Sequence, residues 1–193
     1  MRVILNQVST IFTGATLKEK PEASLCPDSY LMQLGDFSAN DGPIFGTMLS
    51  YSGLRTYSKF VAKPDDLVFR GRGAGINATV ITKTDKPIIV ASPLITIRPN
   101  LNRVNPEYLQ WVLTNKEAHR HYAKHISGSF IMGIGKQDLG TLEIDLPDLS
   151  IQVEVGKIKK LQTQETELLT RYKNKQAQLY ESIINTLSKE KLA

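Results

Sequence analysis

Two hydrophobic patterns divide this chain. Up to Pro147 the apolar residues come in short runs, many β-branched, bounded by Gly, Pro, Asn and Asp; beyond it they recur mostly at three- and four-residue steps. The short runs predict strands at residues 30–34, 66–70, 78–82, 87–91, 94–98 and 141–145. Run 78–82 is expected to pair with run 87–91 across a turn at residues 83–86. Run 141–145 alternates and is expected to be half buried.

One helix interrupts the strands. Asn105 can cap it, and Pro106 sits at the first helical position, where its missing N–H costs little. Glu107 in the first turn suits the helix dipole. Tyr108, Leu109, Trp111, Val112 and Leu113 supply a buried face. The helix either continues through Tyr122 or breaks and resumes.

The second pattern predicts one long helix over residues 151–188. Its apolar positions include Ile151, Val155, Ile158, Leu161, Leu168, Leu169, Tyr172, Leu179, Ile183 and Leu187. Some 38 residues at about 1.5 Å each reach on the order of 57 Å. That exceeds what a small domain can cover, so the stripe calls for a partner helix. Gln162, Glu165 and Gln176 interrupt the seam as register-setting polar residues do. A helix folded back on its own domain, or a break near Gln162, is the alternative.

Composition sharpens the boundary. All nine Pro and twelve of the thirteen Gly precede residue 148; Gly156 is the exception. Both residue types break helices. This gives an α+β fold: a β-rich domain over 1–147 with an inserted helix, then a helical element over 148–193. No internal repeat and no low-complexity segment is visible. No apolar run reaches the roughly 18 residues of a membrane span. Asn6 and Gln7 stand where a signal peptide needs an apolar core. The single Cys excludes an internal disulfide framework and fits a reducing compartment. The expectation is a soluble, cytoplasmic protein.

The net charge of +5 admits an anionic partner without requiring one. Clustering says more: residues 53–72 hold Arg55, Lys59, Lys63, Arg70 and Arg72 against Asp65 and Asp66 alone. Arg70 and Arg72 flank the loop that holds Gly71, Gly73 and Gly75. This stretch fits a relaxed G-x-G-x-x-A, but a dinucleotide site needs a helix next, and a β-branched run follows. It reads as a hairpin loop whose glycines permit close approach to a ligand. A second glycine-rich loop spans residues 127–136, where Phe130 and Met132 either anchor the loop or reach into a groove.

Other motifs have simpler explanations. Asn105, Pro106, Glu107 and Tyr108 resemble the Asn-Pro-Pro-Tyr loop of adenine methyltransferases, but Glu107 replaces the second Pro and a helix starts at once. His119, His121 and His125 lack the glutamate of a zinc-protease helix and suit a solvated or anion-facing role better than a metal. Cys26 has no evident base, and neither a nucleophile elbow nor a phosphate-binding loop occurs. A binding protein is favoured over an enzyme.

Read in order, these pieces resemble one half of the DNA-specificity (S) subunit of type I restriction–modification systems. The resemblance rests on six segments spread over nearly the whole chain. They are residues 11–16 and 30–36; residues 63–70, from Lys63 and Pro64 to Phe69 and Arg70; Asn105 to Leu109; Gly128 and Ser129 with residues 134–139; and residues 146–152, ending at Gln152. Asp65 stands where the family usually has Gly, and Ile151 where Glu precedes the Gln.

The resemblance implies a target-recognition domain followed by a conserved-region helix. Two copies would pair antiparallel through these helices and read a bipartite palindromic site. Methyltransferase (M) subunits would bring S-adenosylmethionine and methylate adenine, and a restriction (R) subunit would cut. This chain would carry no cofactor, no metal and no catalytic residue. Candidate DNA contacts are Arg55, Lys59, Arg70, Arg72 and Lys136, with Asn77 and Ser129 as base-edge readers. Candidate dimerisation residues are Ile151, Val155, Ile158, Leu168, Leu169, Tyr172, Leu179 and Ile183. A protein-interaction module on a coiled-coil stalk stays open as the alternative, and so does a methyltransferase fragment that would itself bind S-adenosylmethionine.

Overall fold

The computed structural model describes residues 1–38, 42–43, 47–73, 75–126 and 133–190. The described residues form two compact units, Met1–Lys157 and Ile158–Ala193.

The first unit is built on two four-stranded sheets. In one, β2 (Ser9–Thr13), β11 (Ile95–Pro99), β8 (Leu67–Arg70) and β9 (Asn77–Val80) are all antiparallel. In the other, β6 (Leu49–Tyr51), β3 (Ser29–Met32), β10 (Ile88–Val90) and β7 (Val61–Ala62) follow in that order, with β3 and β10 parallel. Two short ribbons complete the set: β1 (Arg2–Ile4) with β12 (Glu143–Asp145), and β4 (Phe37–Ser38) with β5 (Gly42–Pro43).

Strand alternation assigns each face of β8. Leu67 and Phe69 point into a core shared with α2 (Pro106–Thr114) and α3 (Lys116–Ile126), where Tyr108, Leu109, Val112, Leu113 and Tyr122 are buried. Val68 points the other way, into a core between the sheets with Met32, Ile88, Val90 and Leu94. Ile89 of β10 faces a third cluster with Leu31, Tyr51, Tyr57 and Phe60. Strands buried on both faces read as continuous apolar runs, which is why these runs carry no alternation.

The expected pairing of run 78–82 with run 87–91 is overturned. β9 turns back on β8 through the glycine loop, pairing Arg70 with Asn77 and Leu67 with Val80. β10 instead lies beside β3, Ile88 opposite Tyr30 and Val90 opposite Met32. Both faces of β8 and β10 are apolar, so hydrophobicity does not name the neighbour. The tighter loop captures β9, and residues 83–86 carry the chain to the other sheet. Near residue 14 the sheets meet: Gly14 N–H donates to Leu94 O and Ala15 N–H to Val90 O, both at 2.8 Å. A Cβ on Gly14 would lie 2.5 Å from the Ala91 carbonyl carbon, so only Gly fits there.

The Asp65 departure has a backbone explanation. Asp65 adopts φ +70°, the left-handed region. Gly enters that region freely and Asp tolerates it. Asp66, next along, is 1% exposed. Its carboxylate accepts the Lys63 N–H at 2.8 Å and a two-pronged contact from Arg98 at 2.8 and 2.6 Å.

The inserted helix breaks at Asn115, whose Oδ1 accepts the Ala118 N–H and so starts α3. Asn105 caps α2, its Oδ1 accepting the Tyr108 N–H at 2.9 Å. The tail forms one helix, α5 (Leu149–Glu190), with no interruption at Gln162. The first unit extends past Pro147 to Lys157 because the start of α5 packs on it. Gln152 is fully buried: its amide donates to Arg103 O and Pro147 O, and its Oε1 accepts the Asn105 N–H. Gly156 lies against α2, where a Cβ would come within 2.9 Å of Glu107 Cβ. The one glycine of the tail is therefore a close-approach residue.

Candidate nucleic-acid interface

The two glycine-rich loops singled out in the sequence lie against each other. The Ile134 N–H donates to Gly71 O at 3.0 Å. A Cβ on Gly71 would lie 2.7 Å from Ile134 O, and one on Gly133 would lie 2.2 Å from Arg72 Cγ. Glycine at 71 thus lets the two backbones touch, and glycine at 133 leaves room for the Arg72 side chain. Ile134 is buried in the helical core and anchors the contact. Gly73 and Gly75 have φ of +80° and +129°, which L side chains rarely adopt.

Arg72 is exposed at this junction. Lys136 is also exposed and opens α4 (Lys136–Gly140), next to Gly135, whose N–H donates to Asp138. The arrangement brings Arg72 and Lys136 to two loops in direct contact. Asn77, half-buried at the start of β9, uses its Oδ1 to accept the Ala78 N–H at 2.7 Å. Ser129, with Phe130 and Met132, lies outside the described residues.

Arg70 is a correction. Its side chain is buried, not offered to a ligand. Nε donates to Gly75 O, Nη1 donates to Phe37 O, and the guanidinium sits 5.6 Å from the Phe37 ring centre. Burial pulls its pKa below the usual arginine value. Strand alternation puts position 70 on the inner face of β8, so Arg70 braces the 71–75 loop from beneath.

Arg55 and Lys59 are exposed on α1 (Leu54–Tyr57) and the turn after it. Their neighbours Tyr57 and Phe60 pack on the other sheet. Asp28 fixes the start of α1, accepting from the N–H groups of Gly53 and Leu54. A hydrogen bond from Ser29, helped by these two, lowers the Asp28 pKa. The basic cluster read along residues 53–72 is thus split between two sheets.

Along α5, Ile151, Ile158, Leu168, Leu169, Tyr172, Leu179 and Ile183 are exposed, as are Leu161 and Tyr180. Val155 is a second correction: it is half-buried against the core that holds Tyr108, so it anchors the helix to its own unit. Sequence reasoning passed over Gln152, although it stood in a quoted motif; polar residues buried by three backbone contacts leave no hydrophobic signal. It also passed over Arg120 and Lys124, one helical turn apart beside the more conspicuous histidines. No helix among the described residues is long and apolar enough to cross a membrane.

This architecture, a two-sheet unit with a long helix after it, is similar in fold to solved type I restriction–modification specificity subunits. The HsdS subunit from Thermoanaerobacter tengcongensis superimposes with a TM-score of 0.61 at 20% identity, over 89% of this chain and 39% of that one. A chain from a study of complex assembly and conformational transition in the type I R-M system gives 0.62 at 20% identity, over 89% and 40%. The type I S subunit from M. genitalium gives 0.55 at 13% identity, over 87% and 40%. The chain spans about two fifths of the length of these structures. No protein-family model and no curated protein matches it.

Proposed function

We propose that this chain is a DNA-recognition unit of a type I restriction–modification system, without catalytic activity of its own. The observation that carries this reading is the contact between the 71–75 and 133–136 loops, which presents Arg72 and Lys136 together on the fold shared with specificity subunits. Two glycine-flanked loops on a rigid scaffold suit variable recognition. Exposed cations beside backbone free of side chains suit close approach to a duplex.

Two copies pair antiparallel through α5 to form a two-fold reader of an inverted repeat. The exposed apolar residues from Ile158 to Ile184 support this pairing. Two units of this size would also fill most of a neighbouring S chain. Methyltransferase subunits, holding S-adenosylmethionine, methylate adenine at the site so defined, and a restriction subunit cleaves. The complex works in the cytoplasm, where such partners meet DNA.

The test is duplex binding over a salt series with the methyltransferase partner present, using a randomised DNA pool. The expected result is a steep fall of affinity with salt and enrichment of a bipartite inverted repeat. Absent or salt-insensitive binding refutes the reading.

A further inference from the structure

A second charged surface lies on the first unit. Arg2, Glu117, Arg120, His121, Lys124 and Glu143 line an open cavity of about 460 Å³, together with Thr141 and Leu142. Its floor is the β1–β12 ribbon and one wall is α3. The charges on the two sides differ in kind. Arg2 is engaged, with Glu143 at 3.4 Å and Asp145 at 3.9 Å. Arg120 and Lys124 are exposed and make no ion pair among the described residues. Of the two carboxylates in the lining, Glu143 is paired with Arg2 and Glu117 is not.

Arg120 and Lys124 stand four residues apart, on one face of α3 with Cβ atoms about 5–6 Å apart. The opposite face buries Ala118 and Tyr122. The outward face cannot rotate away, because two histidines tie α3 to α4. His121 Nε2 donates to Asp138 O at 2.9 Å, and His125 Nδ1 lies 3.3 Å from Asp138 Oδ1. Asp138 also receives the Gly135 N–H beside Lys136. The face of α3 is therefore fixed to the element that opens with Lys136.

We infer that Arg120 and Lys124 form a phosphate-backbone clamp, gripping successive phosphodiesters of a duplex strand while the 71–75 and 133–136 loops meet its base edges. The inference rests on the DNA-recognition reading and adds to it a site for the sugar-phosphate chain. Unpaired cations one turn apart, on a rigid helix above a concave surface, suit a repeating anion. Such contacts position a protein without reading sequence. The histidines then serve as braces for the clamp.

The test compares the full chain with the Arg120→Ala/Lys124→Ala variant on the enriched duplex and on a scrambled one, from low to physiological salt. Each phosphate contact contributes about 0.9 to the slope of log affinity against log salt. The double variant is expected to lose close to two such increments, so the slope shallows by roughly 1.8. Affinity should drop by the same factor for both duplexes, leaving the ratio between them unchanged. The Arg120→Lys/Lys124→Arg exchange, which keeps both charges, should restore the slope. A wild-type slope in the alanine variant overturns the clamp while leaving DNA recognition intact; so does a changed ratio between duplexes with no change of slope. Salt-insensitive binding by the unaltered chain overturns both.

Discussion

Gln152 accepts the backbone N–H of Asn105 at 2.9 Å, while the Asn105 side chain caps the helix that follows it. One turn of α5 is thus joined to the N-terminus of α2 by a buried amide with every polar atom engaged. Gln152→Ala strips partners from two carbonyls and one N–H. Each loss costs about 1–3 kcal/mol where water cannot enter, so the variant should unfold at least about 3 kcal/mol more easily in a urea titration. A loss below 1 kcal/mol would sink this account of how α5 is fixed.

Gly156→Ala tests the same junction by volume. The added methyl meets Glu107 Cβ at 2.9 Å and Asn105 Oδ1 at 3.1 Å. In an isolated helix this substitution stabilises by up to about 1 kcal/mol. Here the crowding should reverse the sign, and a higher melting temperature would contradict the packing described.

Asp65 offers a contrast between backbone and side chain. Gly should be tolerated at φ +70° and match or exceed the parent in thermal stability. Val, β-branched, should lower it by roughly 1–2 kcal/mol. Equal melting curves for Asp65→Gly and Asp65→Val would exclude the left-handed geometry.

Asp66 and Arg98 hold the same turn from the strand side. Removing the carboxylate in Asp66→Ala orphans the Lys63 N–H and the Arg98 guanidinium. Arg98 is about one third exposed and can turn to water, so the expected cost is roughly 2–3 kcal/mol, below that of a fully buried pair. Chemical denaturation measures it.

Arg72 and Lys136 should separate by role. Arg72→Ala is expected to cost about 1–3 kcal/mol on the preferred duplex and to relax one position of the site. Lys136→Ala should weaken all duplexes alike. Selection from a randomised pool distinguishes the two outcomes.

Leu169→Asp and Val155→Asp should diverge as well. Leu169 is exposed, so its variant should fold normally but elute as a single chain, whereas the pairing proposed above requires the parent to scatter light with twice 21.5 kDa. Val155→Asp buries a charge against the core and should destabilise the unit whatever its assembly state.

The cap at Asn105, the strand Leu67–Arg70 and the long tail helix were legible because each carries a local signature: a side-chain acceptor, a run between turns, a periodic stripe. The neighbour of β10 was not, since runs that are apolar on both faces pair with any strand that topology delivers. Arg55 and Arg72 look adjacent along the chain, yet a crossing between sheets parts them. Arg70 shows the limit of reading charge as surface: a cation at an inward strand position becomes a brace. The loops at 71–75 and 133–136 were each conspicuous, but their contact depends on α2 and α3 bringing the chain back, and no local pattern encodes that return.

The Gly71–Ile134 contact carries a consequence for inheritance. A recombination event or a laboratory graft that brings in a new 71–75 segment with any side chain at its first position would strike the Ile134 carbonyl of the resident loop. On the proposed DNA-recognition reading, an incoming 71–75 segment must either keep glycine first or arrive with its own partner loop, more than fifty residues away in sequence, and a chimaera that does neither should lose discrimination before it loses its fold.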